Sequence, residues 1–227
     1  MIKAIIFDLD NTLVDFMKMK RDSIDAAVEA MIDAGLDMPK EKIKAKIYDI
    51  YEAEGIEYQK IFDQFLTKEL GGIDPKIHAA GIVAYRKARD AALVTYPHVD
   101  YTLIELAKRG IKMAVISDAP QLQAWLRLCQ LKLHHLFDCV VTFEDTGELK
   151  PNPAPFLRAL KSLGVEPAEA IMVGDWPERD VVGAKRLGIR TVFARYGDTF
   201  DTTSSGADYE IDDIAKLLKL VDEENRR

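Results

Sequence analysis

The chain has 227 residues, 48% hydrophobic and 30% charged, enough for one sizeable domain or a core with a smaller inserted one. Its 38 acidic side chains outnumber 31 basic ones, a formal net charge of -7, which argues against a nucleic-acid scaffold as partner because gripping polyphosphate needs a basic surface. Cys129 and Cys139 lack metal-ligand spacing, and the opening apolar run is too short for a membrane span and lacks the layout of a signal peptide, so a reduced cytoplasmic protein with no membrane partner is expected.

Residues 2–7 form a short Ile-rich run that meets an acid at Asp8, as a strand buried on both faces would. From about residue 16 to 93 the period is helical. Ile24, Ala27, Val28, Met31 and Ile32 mark one stripe. Ile43, Ile47, Ile50 and Tyr51 mark a second, and Ile61, Phe62, Phe65 and Leu66 a third, with a fourth helix over residues 76–92. Beyond it, helical patterns at 101–109, 121–131, 153–163 and 178–187 alternate with apolar runs at 111–116, 139–143, 170–173 and 191–194. Gly110, Gly164 and Gly188 follow helical stretches, as helix-closing glycines do. Residues 198–206 read as a loop, 209–211 as a last short strand and 212–223 as a last helix. This alternation predicts the α/β class: a doubly wound parallel sheet, a Rossmann-like core built from residues 1–15 and 94–227, with an inserted helical bundle at 16–93.

Chemistry gathers at the ends of the predicted strands, where open α/β sheets bind ligands. Asp8 and Asp10 end the first, and strand-like geometry points both the same way. Two clustered carboxylates repel unless a cation or a shared proton compensates, and a hard oxygen-seeking ion such as Mg²⁺ meets that need. Ser117 and Asp118 end the second, Lys150 stands in the loop before the helix at 153, and Asp175 and Asp180 follow the fourth. A hydroxyl, an ammonium and several carboxylates at one sheet edge are the groups that phosphoryl transfer uses.

These residues, in order, resemble the motifs of the haloacid dehalogenase superfamily: DLDNT at residues 8–12, ISD at 116–118, LKPNP at 149–153 and GDWPERD at 174–180. The resemblance covers essentially the whole chain and implies a helical type 1 cap at residues 16–93, which would open for substrate and close against bulk water. It implies Asp8 as nucleophile and metal ligand, and Asp10 as general acid and then base, with its main-chain carbonyl on the ion. Asp175 would be a further ligand for Mg²⁺, with Thr12 and Asp180 just outside the ion's ligands. Ser117, Asp118 and Lys150 would bind the substrate phosphate, Ser117 and Lys150 as part of the catalytic set. The implied function is hydrolysis of a small phosphorylated metabolite (a triose phosphate, phosphoglycolate, a sugar phosphate or a nucleotide) through an aspartyl phosphate, by a monomer or homodimer.

A phosphomutase and a 2-haloacid dehalogenase are the alternatives on this fold. The second is disfavoured by Asp10, because halide leaves without a proton and an alkoxide needs one. A silent binding module would lack a reacting group, and here all are present. Relatives usually carry a small polar residue at Trp176, Asn at Asp118 and Gly at His98. His78, His98, His134 and His135 show no zinc spacing. Trp125 reads as core or interface, and Lys18, Lys20 and Arg21 as a solvated helix face.

Overall fold

The computed structural model describes residues 1–226. Six short strands form one parallel sheet among the described residues: β1 (Ala4–Phe7), β2 (Lys112–Ile116), β3 (Cys139–Val141), β4 (Ala170–Gly174), β5 (Arg190–Ala194) and β6 (Tyr209–Ile211). Their order is β3-β2-β1-β4-β5-β6, so the chain winds to one side of β1 and then to the other. The direction of winding reverses beside β1, which leaves a crevice outside the carboxyl ends of β1 and β4. Every residue of β1 and β4 is buried, and both therefore read as unbroken apolar runs.

Phe16–Val94 is a compact unit, and Met1–Asp15 with the chain from Thr95 onward is the other, so the second changeover falls one residue beyond the sequence boundary. The inserted unit consists of α1 (Phe16–Asp33), α2 (Lys40–Glu54), α3 (Ile61–Leu70) and α4 (Pro75–Ala92). Its stripes meet in a core of its own, including Ile24, Met31, Ile47, Phe65 and Leu66; Ile32 lies at its margin. Each such side chain contributes about 1.5–3 kcal/mol by leaving water. Asp74 starts α4: its carboxylate accepts from Lys76 N at 2.9 Å and Ile77 N at 3.0 Å, ahead of a proline whose missing N–H costs nothing there. Lys18 and Arg21 are exposed as expected, but Lys20 is buried. Four residues separate it from Phe16 and from Ile24, which places it on the apolar stripe of α1.

The sheet-bearing unit adds α5 (Val99–Lys108), α6 (Gln121–Gln130), α7 (Phe143–Thr146), α8 (Pro153–Leu163), α9 (Val182–Lys185) and α10 (Lys216–Arg226). Phe156, Ala159, Leu160 and Leu163 of α8 pack with Ala4, Ile6, Ala114, Ile116 and Met172 of the sheet in one core cluster. The run at 139–143 stops as strand at Val141, because Thr142 and Asp145 form a reciprocal cap that turns Phe143 into a helix start. The pattern at 178–187 divides into a π-helical turn, Pro177–Val181, and a short α9. Trp125 is not core: it is 37% exposed, with Leu122 and Leu126 more so, and α6 turns Ala124, Arg127 and Leu128 inward instead. No helix among the described residues is long and apolar enough to cross a membrane.

Candidate active site

The sheet register builds the site. Phe7 is level with Val115 of β2 and Val173 of β4. Asp8 therefore leaves β1 one step beyond that level, and Ser117 and Asp175 leave their strands two steps beyond it. Asp8 N donates to Val173 O at 2.9 Å and Ser117 N to Val141 O at 2.9 Å, so main-chain pairing continues to the point where the side chains emerge. Asn11 then takes a left-handed conformation (φ 61°), which Asn tolerates and which bends the chain back, so that Leu13 N and Val14 N both donate to Leu9 O.

Asp8, Asp175 and Asp180 are all buried, and one carboxylate oxygen from each lies within 4.8 Å of the others. Lys150, 4% exposed, answers them: its Nζ bonds Asp8 Oδ1, stands 2.8 Å from Asp180 Oδ1, and donates to Ile116 O at 3.2 Å. Thr12 Oγ1 donates to Asp175 Oδ1 at 3.1 Å. Asp180 also receives Trp176 N at 3.0 Å, made possible by Gly174, where a Cβ would meet the Asp180 carboxylate at 2.2 Å. Asp180 thus stands in the carboxylate cluster.

Three buried carboxylates face one ammonium, which leaves an uncompensated negative charge. Burial first, opposed by Lys150 and reinforced by Asp180 and Asp10, pushes Asp8 up to about 7. Burial, then Asp8 and Asp180, holds Asp175 well above the usual carboxylate range, and burial raises Asp180 against the pull of Lys150. Lys150 is raised, by Asp180 and then Asp8, in spite of burial. Without a cation the cluster keeps protons; a divalent ion among these hard oxygen donors would displace them, so the residues fit such an ion.

The Asp10 carboxylate lies outside this cluster. It accepts from Arg127 Nη1 at 2.6 Å, an arginine with only 7% of its side chain exposed. The Asp118 carboxylate has no donor to offer a phosphate: Oδ1 accepts Lys150 N at 3.0 Å and Oδ2 accepts Arg179 Nη1 at 3.0 Å, which leaves the main-chain N–H as this residue's donor. The Arg179 guanidinium lies 3.7 Å from the centre of the Trp176 ring, and the Trp176 and Phe200 ring centres are 4.6 Å apart with the planes tilted by 40°. Ser117 is buried, and its Oγ accepts Ala119 N at 3.2 Å. At Gly197 a Cβ would fall 1.6 Å from Asn11 O, so only glycine lets this loop press against the turn after Asp10. Tyr196 Oη secures the same turn by donating to Thr12 O at 2.9 Å.

Arg127 and Arg179 are the members that sequence reasoning missed. Arg127 was legible as a charge on an apolar stripe, three residues after Ala124 and beside Leu128. Arg179 lies inside the GDWPERD segment without an evident partner in sequence.

A family model for "Haloacid dehalogenase-like hydrolase" matches residues 5–194. The chain is a member of this hydrolase family. The hydrolase is 36% identical to a glyceraldehyde 3-phosphate phosphatase of Methanopyrus kandleri, over 98% of each chain. It is 37% identical to the enzyme of that name from Methanocaldococcus jannaschii, over 97% of each. It also superposes on the crystal structure of a HAD phosphatase from Thermococcus onnurineus with a TM-score of 0.72 and 27% identity, covering 97% of this chain and 98% of that one. Within the family the hydrolase therefore stands with phosphatases.

Proposed function

We propose that this hydrolase is a phosphatase of small phosphorylated metabolites that passes the phosphoryl group through Asp8, with Mg²⁺ as cofactor. A triose phosphate, glyceraldehyde 3-phosphate first, is the substrate class its relatives favour. The reading is carried by one observation: a nucleophile-capable carboxylate, a buried lysine and two more buried carboxylates meet outside β1 and β4, while Asp10 is held apart by an arginine.

In this reading an Asp8 oxygen attacks phosphorus as the bond to the departing alkoxide breaks. Asp10 delivers its proton to the alkoxide, then takes one from the water that cleaves the aspartyl phosphate, regenerating Asp8 and releasing inorganic phosphate. Lys150 and the Ser117 hydroxyl face the equatorial oxygens, where charge accumulates in the transition state. Asp118 seats Lys150 through its carboxylate and would meet the phosphate through its main-chain N–H. Asp8, Asp175 and Asp180, with the Asp10 main-chain carbonyl, would hold Mg²⁺, which when bound neutralises charge on the transferring group. The helical unit is assigned the part of the cap that selects the leaving group.

The test is phosphate release from a panel including glyceraldehyde 3-phosphate, phosphoglycolate and glycerol phosphate, with Mg²⁺ or chelator, for wild type and Asp8→Asn. Mg²⁺-stimulated release that Asp8→Asn abolishes is expected. A folded wild type that releases phosphate from no member, or that isomerises a sugar phosphate without releasing any, would overturn the reading.

A further inference from the structure

The helical unit holds a second concentration of charge. A cavity of about 170 Å³ opens between its helices, lined among others by Lys20, Tyr51, Phe62, Tyr85, Arg86 and Arg89. No Asp or Glu lines it among the described residues. Arg86 is exposed and Arg89 partly so, one turn apart on α4, with Arg89 paired to its neighbour Asp90.

Lys20 is the member that demands an account. It is 4% exposed, and its Nζ lies 4.6 Å from the Tyr51 ring centre, 5.7 Å from that of Tyr85 and 5.8 Å from that of Phe16. Its hydrogen bond goes to Tyr85 Oη at 3.2 Å, and no carboxylate pairs with it among the described residues. An ammonium has three N–H donors, so a single phenol leaves it short of acceptors, and ring faces offset only part of its lost hydration. Burial, then Tyr85, pushes the Tyr51 phenol well above its ordinary value, so that ring brings no negative charge. Cation–ring packing alone would account for Lys20 in a sealed core. It does not account for a hollow beside the ammonium, or for two arginines at its edge.

We propose that this cavity binds a small oxyanion, a carboxylate or phosphate on a short carbon chain, with Lys20 as the ionic anchor, the aromatic walls against the chain, and Arg86 and Arg89 drawing the anion in. The site goes beyond the phosphatase reaction and uses none of its residues. A carboxylate metabolite and the phosphate that hydrolysis releases share this chemistry and are separated by the probe.

The full-length protein is titrated calorimetrically with sodium glycerate and, separately, with inorganic phosphate. Saturable binding that Lys20→Met weakens by roughly tenfold or more, and that the pair Arg86→Gln with Arg89→Gln weakens by about three- to tenfold, is expected. Asp8→Asn leaves that Lys20-dependent event in place, so the two readings fail separately. Dependence seen with glycerate alone assigns a carboxylate source, and dependence seen with phosphate alone assigns the product. Lys20→Met with lowered thermal stability but unchanged anion affinity would mark Lys20 as packing only and overturn the proposal, as would the absence of saturable binding of both anions. If Lys20→Met does not fold, the arginine pair decides, and unchanged affinity there overturns the proposal equally.

Discussion

Replacing Lys150 with methionine keeps the length of the side chain and removes the ammonium that answers three buried acids. The wild-type Nζ stands 2.8 Å from Asp180 and also bonds Asp8. At an effective dielectric near 20, one pair at that separation attracts by about 6 kcal/mol before desolvation is set against it. Removing one partner of a buried pair costs about 3–5 kcal/mol. Because Asp8, Asp175 and Asp180 are already raised and can take up protons when Lys150 goes, the lower end, about 3 kcal/mol, is expected for the metal-free protein at neutral pH.

The assay is urea unfolding followed by tryptophan fluorescence. The two tryptophans, Trp125 and Trp176, both belong to the sheet-bearing unit, so the signal follows the unit that holds the cluster. Mg²⁺ at a hundred times its dissociation constant would stabilise wild type by about 2.7 kcal/mol, and Lys150→Met by more, since its cluster is more negative. Phosphatase turnover should fall by about two to three orders of magnitude, the usual loss when a group that meets transition-state charge is removed. An unchanged urea midpoint in chelator, or Mg²⁺ stabilising wild type and variant equally, would refute the charge argument.

With chelator present, stability should fall as pH rises from about 4 toward 7: the unfolded Asp8 has released its proton by then, while the folded one, held at about 7, still binds it. Asp175 and Asp180 act with the same sign, and Lys150, raised, stays protonated throughout; a flat or rising profile by urea midpoint refutes the assignment. Acids held low by surface hydrogen bonds, such as Glu210 with Ser205 and Arg195, act with the opposite sign, their contribution being lost as pH drops. Gly197→Ala, whose new methyl would sit on Asn11 O, should cost about 1–3 kcal/mol and weaken Mg²⁺ binding in titration; wild-type affinity would show that the loop yields freely. Arg127→Met should slow alkyl phosphates by about tenfold or more while sparing p-nitrophenyl phosphate, whose leaving group needs no proton; an equal loss on both would deny Arg127 a part in placing Asp10.

The strands were legible because a parallel sheet buries both faces, and β1 and β4 carry that condition as unbroken apolar runs. The acids were legible because their places at strand ends follow from register alone. Lys20 was read as solvated, and Arg127 and Arg179 were not singled out, for one shared reason. A charged side chain is assigned to solvent by default, and its partner (an aromatic pair, Asp10 or Asp118) lies 31 or more positions away in sequence. The nearness of Asp180 to Asp8 and Asp175 was not legible, because the π-helical turn that carries it back toward Gly174 has no periodic signature. A capping box shortened the expected strand at 139–143, where Thr142 and Asp145 outweighed the apolar Phe143.

Two aspartates two positions apart are given different chemistry by their neighbours. Asp8 has Lys150 on it and two more carboxylates beside it, in a place so dry that burial pushes it up to about 7. Asp10 has 20% of its side chain exposed and an arginine of its own, and its carboxylate lies outside the cluster, although its charge still helps to raise Asp8. The separation matters because a nucleophile must be a carboxylate when phosphorus arrives, whereas the acid must carry a proton at that moment. A divalent ion among Asp8, Asp175 and Asp180 would strip protons from that group. Arg127, which holds the Asp10 carboxylate at 2.6 Å, thus has a positioning part beside that of Lys150, although it belongs to none of the recognised sequence motifs.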